Sequence, residues 1–207
     1  MSVVVPNPKA IRPFATEAAF EAWLAKHHAS APEVWIKIYK KGSGKPTISP
    51  SQAIDVALCW GWIDAIRKPF DEEAFLQRYT PRGKKSRWSQ INVERVKQLT
   101  KSKRMTAHGQ VHIDAAKADG RWDAAYPSAG KVEVPEEFRK AAAKNRAART
   151  VLEGLDRANQ YAIAFRFHHL KTEEGRARFI STWVDRLARG ELPQPALPKK
   201  QPKKRAT

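Results

Sequence analysis

Aromatic and basic residues lie close together in segment 58–89, LCWGWIDAIRKPFDEEAFLQRYTPRGKKSRWS. This segment holds three of the seven tryptophans and the only cysteine of the chain. Arginine guanidinium groups bind phosphates and carboxylates through two parallel hydrogen bonds, and tryptophan rings offer flat faces for stacking. These residue types predict a binding site for an anionic ligand. Its candidate residues are Trp60, Trp62, Asp64, Arg78, Arg82, Arg87 and Trp88.

The same residues have a second interpretation, in which they only support the fold. Tryptophans that are close in sequence usually pack in a core, and Asp64 is then the salt-bridge partner of one arginine. The two interpretations differ in where Arg82 points. If Arg82 faces a ligand, Arg82→Ala is expected to remove phosphate or nucleotide binding without lowering the thermal stability.

The net charge of +18 favours anionic partners such as nucleic acid, phosphorylated metabolites or an anionic membrane surface. Segment 78–104 has ten basic residues and one acidic residue, and five more basic residues lie in 199–205. Lys97, Lys101 and Arg104 share one face of a predicted helix that can follow a phosphate backbone. Nucleic acid is therefore the alternative partner, although the sequence has no zinc-ligand spacing and no aromatic RNA-binding box. A solvated basic face explains the same three residues without a partner.

The other reactive residue types form no recognisable catalytic motif. Cys59 lies between two apolar residues and is expected to be a small buried hydrophobic side chain. His108 and His112 have helical spacing, but HGQVH lacks the glutamate of a zinc-protease motif and has no third ligand, so we interpret both as incidental. Aromatic surroundings predict a raised pKa for Asp64, but a base alone defines no reaction. We expect a binding protein rather than an enzyme, with no cofactor and no metal.

Length and hydropathy predict a globular protein. A chain of 207 residues can bury about 70% of the surface that its unfolded form exposes. No apolar run approaches the roughly 18 residues of a membrane span, and the N-terminus does not resemble a secretory signal. These features predict a cytoplasmic location.

Alternation and capping residues predict an α+β fold, with a small antiparallel sheet and helices in the N-terminal part. Thr16 is a predicted helix N-cap, and either Ser49 or Ser51 caps a second helix. Trp35 falls on the half-solvated face of the first strand. The predicted strands are 33–39, 62–66 and 74–79.

Two further helices are predicted in the remainder of the N-terminal part. The first follows a cap at Ser86 or Ser89 and is expected to turn Ile91, together with two later apolar residues, toward the core. The second is expected to turn Val111 inward.

The C-terminal part is predicted to be all-helical, with Asp156 and Thr172 as caps of its last two helices. The chain is thus divided into four parts. They are an N-terminal arm (1–13), an α+β domain (14–126), a helical domain (127–190) and a disordered basic Pro/Lys tail (191–207).

Several short motifs resemble those of the YdeI/OmpD-associated family, also called bacteriocin-protection proteins, over about 14–190. They are ALCWGWID (57–64), RYTPR followed by S-x-W-S-x-x-N (78–92), DGRW (119–122), P-E-x-F (135–138) and GRARFI (175–180). The resemblance implies an α+β part followed by the family's helical domain.

The resemblance also implies a role in resistance to bacteriocins or antimicrobial peptides and in envelope stress, with no established reaction. A protein of charge +18 repels cationic peptides, so direct sequestration of such peptides is not expected. We therefore expect protection to be indirect, through an anionic ligand or partner.

Overall fold

The computed structural model describes residues 4–127 and 133–194. The chain divides into two compact units, Met1–Ala125 and Tyr126–Thr207. Within the described residues, the sheet lies in the first unit and helices occur in both. None of the described helices is long and apolar enough to cross a bilayer.

The first unit combines a four-stranded sheet with four helices in its described residues. The strands are β1 (Ile11–Pro13), β2 (Val34–Tyr39), β3 (Trp62–Pro69) and β4 (Ala74–Pro81). The helices are α1 (Glu17–His27), α2 (Pro50–Cys59), α3 (Gln90–Lys101) and α4 (Ala107–Ala118).

The sheet has the strand order β1-β2-β4-β3. Strand β4 is antiparallel to both of its neighbours, and Val34 of β2 lies opposite Tyr79 of β4. The pairing register of β3 with β4 shifts between Asp64 and Arg67. The residues of β3 after this shift therefore pair with β4 at a different offset from those before it. The three predicted strands and their antiparallel arrangement are confirmed.

The N-terminal arm contributes a strand that the sequence did not predict. A 3-10 turn at Pro8–Ala10 leads into β1, which pairs with β2 in the parallel sense, with Ile11 opposite Trp35. The sheet is therefore mixed rather than purely antiparallel. Three residues are too few to show the alternation that identifies a strand, so β1 is visible only through its pairing.

Side-chain caps fix where the helices begin. The hydroxyl of Thr16 accepts a hydrogen bond from the backbone within the first turn of α1. Ser49 and Gln52 form a reciprocal capping box at the start of α2. Ser89, and not Ser86, caps α3. The residue types that satisfy free N–H groups at helix ends therefore identified these starts correctly.

One face of β2 packs against α1 and α2 in the main core of the first unit. The opposite face is more buried than predicted, because Trp35 is fully buried rather than half-solvated. Its indole Nε1 donates to Glu33 at 3.1 Å, and the guanidinium of Arg78 lies 5.9 Å from its ring centroid. Polar side chains thus lie next to this buried indole ring, and the alternation of apolar and polar residues along the strand does not predict that arrangement.

The inward faces of α3 and α4 differ in part from the prediction. Ile91 is 49% exposed and Val111 is 65% exposed, so both point to solvent. In α4 the packing face is set by Gly109, which lies directly against the end of α2. The buried residues of the two helices are Val96, Leu99, Gly109, Ile113 and Ala116.

The secondary-structure elements of the second unit's described residues are all α-helices, which confirms the predicted fold class. Asp156 and Thr172 are the caps of α7 and α8, as predicted. The core of this unit is centred on Phe138, Ile163 and Leu187, all fully buried. Most of the predicted disordered tail, residues 195–207, lies outside the described residues. The helices are α5 (Glu136–Ala143), α6 (Arg146–Glu153), α7 (Arg157–His168) and α8 (Glu173–Ala188).

Candidate functional site

Residues 82–89, here called the basic loop, connect β4 to α3 and are held at several points. The backbone N–H of Arg82 donates to the carbonyl of Gly61 at 2.9 Å. The guanidinium Nη1 of Arg82 donates to the carbonyl of Arg87 at 3.0 Å, across the loop. From the far side, Nη1 of Arg121 donates to the carbonyl of Ser86 at 2.8 Å. Hydrogen bonds thus hold both ends and the middle of the loop, so its backbone has a defined shape.

A stack of side chains lies beneath the basic loop. The guanidinium carbon of Arg82 lies 3.7 Å from the ring centroid of Trp88, and both side chains are almost fully buried. Trp88 in turn meets the edge of Trp122, with ring centroids 4.9 Å apart. A desolvated guanidinium on an indole face is a favourable cation–π contact, so Arg82 and Trp88 support the loop from inside.

The exposed surface of the basic loop carries Lys84, Lys85 and Arg87. Within residues 4–127 and 133–194, these three side chains form no ion pair with a carboxylate. Their positive charge is therefore not neutralised locally. The structure thus presents three cations on a loop whose backbone is already fixed.

Asp64 lies at the start of the shifted part of β3 and is partly buried. Burial raises the pKa of its carboxyl, while the charges of Arg82, Arg67 and Arg95 oppose that rise. The pKa of Asp64 is therefore raised, as predicted. Asp64 thus interacts electrostatically with three arginines, and its role as the salt-bridge partner of one of them stays a prediction.

The raised pKa of Asp64 predicts a pH dependence of stability. A carboxyl whose pKa is higher in the folded state binds more protons there, so its contribution to stability falls as pH rises above the unfolded pKa of about 4. Compared with Asp64→Asn, the wild-type protein should lose stability between pH 4 and pH 7 in urea titrations.

Asp71→Asn provides the matched control with the opposite sign. The hydrogen bond from Lys37 lowers the pKa of Asp71, so this group favours folding above pH 4 and loses that contribution as pH falls. The two variants should therefore differ from wild type in opposite directions as pH rises. If the stability difference from wild type changed with pH in the same direction for both, the raised pKa of Asp64 would be contradicted.

The remaining predicted site residues do not converge on the basic loop. Trp62 is a core residue whose indole donates to the carbonyl of His28 at 3.3 Å. Arg78 pairs with Glu33 at 2.6 Å beside Trp35.

The predicted basic face of α3 is partly neutralised. Arg104 lies beyond Lys101, the last residue of α3, so the prediction that it shares this helical face is wrong, and it pairs with Glu17 of α1 at 2.6 Å. Lys97, which does lie on α3, is 3.7 Å from Glu94. Lys101 is exposed and has no ion-pair partner among the described residues. The predicted cluster is thus divided between a loop, a buried stack, the far side of the sheet and a helix surface.

Sequence reasoning missed Lys84 and Lys85 as site residues, although it counted their charges. It also missed Arg121, which reaches the loop from 35 residues further along the chain. The two lysines could have been found from their position between Gly83 and Trp88. No local pattern indicated Arg121.

Burial disfavours the charged forms of both Cys59 and His112. Cys59 is buried, as predicted, and burial raises the pKa of its thiol to about 11, which disfavours the reactive thiolate. His112 lies against Gly61, and its pKa is lowered by burial and by Arg82 and Arg121. Across the described residues, no group of three or more His, Cys, Asp or Glu side chains is placed to hold a metal ion.

Two parts of the chain match known protein families. Residues 131–190 match the family described as bacteriocin-protection, YdeI or OmpD-associated. This confirms the family resemblance inferred from the sequence, over that part of the chain. No curated protein and no solved structure matches the chain.

Residues 12–112 match a different family, described only as a domain of unknown function. This second match contains the sheet and the basic loop. The candidate site therefore lies outside the stretch matched by the YdeI/OmpD-associated domain, and no function comes to it from either match.

Proposed function

We propose that this protein is a non-enzymatic cytoplasmic protein that binds an anionic ligand through the basic loop. The observation that carries the proposal is the set of three exposed cations, Lys84, Lys85 and Arg87, on a loop tied down by hydrogen bonds. A fixed loop loses little conformational entropy when a ligand binds, so more of the interaction energy appears as affinity. Phosphate and carboxylate groups are the ligands that such cations recognise.

The YdeI/OmpD-associated domain adds the biological setting of this proposal. The description of that family names bacteriocin protection, and we extend this role to resistance against antimicrobial peptides and to envelope stress. A cationic peptide meets electrostatic repulsion from a chain of charge +18. Protection therefore acts indirectly, through the anionic ligand.

Nucleic acid is the second candidate ligand, and one observation favours it. Lys97 and Lys101 are exposed one helical turn apart on α3, a spacing that suits successive contacts to a phosphate backbone. Arg104 contributes less than expected because Glu17 already holds it. Such contacts recognise the charge of the phosphate backbone and not the base sequence.

The test compares two triple variants that each remove three positive charges. Lys84→Ala, Lys85→Ala and Arg87→Ala together change the basic loop. The control replaces Lys26, Lys41 and Lys144, which are exposed residues elsewhere, by alanine. With inorganic polyphosphate as the probe at low salt, the loop variant should bind at least about tenfold more weakly, while the control stays within about twofold of wild type.

Further probes separate the alternatives. If nucleic acid is the ligand, Lys97→Ala with Lys101→Ala should weaken duplex DNA or RNA binding and reduce the slope of log affinity against log salt by roughly 2. Equal losses in the loop and control variants would show that only net charge matters and would reject the loop site. Tight binding of a labelled cationic peptide would reject the indirect role.

A further inference from the structure

A cleft of about 450 Å³ lies beside the N-terminal turn, at the edge of the first unit. Its walls come from the 3-10 turn, from β1, from the last turns of α1 and from the residues that precede β2. No residue of the basic loop lines it. The residues that line it include Lys9, Arg12, Trp23, His27 and Glu33.

One side of this N-terminal cleft is cationic. Lys9 and Arg12 are exposed, and neither forms an ion pair with a carboxylate in the part of the chain that the structure describes. Nη1 of Arg12 donates a hydrogen bond to the carbonyl of the neighbouring residue Ile11 at 2.9 Å. Most of its five N–H donors are therefore available to a ligand.

The opposite side of the cleft is aromatic and firmly supported. The rings of Trp23 and His27 lie 4.9 Å apart at a tilt of 36°. Trp23 also packs against Phe14, Phe20 and Trp62, whose ring centroids lie at 6.3, 6.4 and 5.8 Å. His27 is exposed and Trp23 is half-buried, so the pair offers a planar ring a surface whose indole is already held in place.

The single carboxylate in the cleft wall is already engaged. Glu33 accepts hydrogen bonds from Nε of Arg78 at 2.6 Å and from Nε1 of Trp35 at 3.1 Å. Arg78 offsets its charge, so repulsion of an anion is reduced. Each carboxylate oxygen keeps a further lone pair that can accept a hydrogen bond from a hydroxyl group.

We infer that this cleft binds a nucleotide, that is, a planar base joined through a sugar to a phosphate. The base stacks on Trp23 and His27, the phosphate contacts Lys9 and Arg12, and a sugar hydroxyl donates to Glu33. The volume falls in the range of small-molecule sites, about 300 to 1,000 Å³. A neutral aromatic compound would leave the cations unused, and inorganic phosphate would leave the aromatic wall unused.

The experiment is calorimetric titration of the full chain with ADP, adenosine and inorganic phosphate at low ionic strength. ADP should bind with one-to-one stoichiometry, and at least about tenfold more tightly than either adenosine or inorganic phosphate. Lys9→Ala with Arg12→Ala should weaken ADP binding at least about tenfold, because charge-assisted hydrogen bonds to the phosphate are lost. Both side chains are exposed, so the double variant is expected to fold.

The matched control is Lys26→Ala with Lys41→Ala, which removes the same charge from exposed positions outside the cleft. It should keep the ADP affinity within about twofold. The NMR signal of the Trp23 indole N–H, assigned with Trp23→Phe, should shift on addition of ADP. A 5′-phosphorylated oligonucleotide that displaces ADP would identify the end of a nucleic acid as the source, and failure to displace it would identify a free nucleotide.

The inference is overturned if ADP does not bind, if inorganic phosphate binds as tightly as ADP, or if the cleft and control variants behave alike. The triple variant of the basic loop should keep its ADP affinity. The nucleotide site and the proposed function of the basic loop can thus fail separately.

Discussion

Gly109→Ala is expected to lower the free energy of unfolding of the first unit by about 2 kcal/mol. An added Cβ would lie 2.4 Å from the carbonyl oxygen of Cys59 and 2.7 Å from that of Leu58. Both obstacles are backbone atoms at the end of α2, so they cannot turn aside as a side chain can. Such overpacking costs up to about 3 kcal/mol, and the better helix propensity of alanine returns about 1 kcal/mol.

Urea denaturation followed by tryptophan fluorescence measures this effect, because six of the seven tryptophans lie within residues 1–125. Gly83→Ala is the control in the same unit. The nearest atom to its added Cβ, the Ser86 hydroxyl, lies at 3.4 Å, so little change in stability is expected. Equal stability of the two variants would show that α4 does not pack on α2 as described.

The contact at Gly109 also bears on the candidate site. The hydroxyl of Thr106 donates to the carbonyl of Cys59 at 2.6 Å and caps α4, which joins the end of α2 to the start of α4. Gly61, two residues after Cys59, turns the chain with φ of +71°. Its carbonyl accepts the hydrogen bond from the backbone N–H of Arg82. Displacing α4 should therefore loosen the basic loop as well as the core.

Local rules predicted the elements of the first unit well. The caps at Thr16, Ser49 and Ser89 follow from short-range hydrogen bonding, which sequence spacing records directly. The strands 33–39, 62–66 and 74–79 follow from alternation. The burial of Trp35 could not be predicted from alternation, which records no neighbour that is distant in sequence, such as Arg78.

The candidate site was less predictable than the fold, for the same reason. Arginines of the same basic segment have unrelated partners in space, since Arg78 pairs with Glu33 and Arg104 with Glu17. A charge count therefore overstates the free cations of segment 78–104. What identifies the basic loop is the set of contacts that hold its backbone, including the one from Arg121.

Arg82→Ala is expected to destabilise the first unit by about 3 kcal/mol, in contrast to the sequence-based expectation of unchanged stability. Arg82 is 4% exposed, stacks on Trp88 and donates to the carbonyl of Arg87. A desolvated cation–π contact contributes about 2 kcal/mol, and a hydrogen bond from a charged donor contributes roughly 1.5 to 3 kcal/mol. These contributions overlap, so the expected total is smaller than their sum.

The comparison with Arg87→Ala separates support of the loop from contact with the ligand. Arg87 is exposed, so its replacement should change stability by no more than about 0.5 kcal/mol while weakening polyphosphate binding. Arg82→Lys should also be destabilised, because an ammonium group cannot reproduce the planar stack. If Arg82→Ala instead lost polyphosphate binding at unchanged stability, Arg82 would be a ligand contact. The basic loop would then be an open site rather than a supported surface.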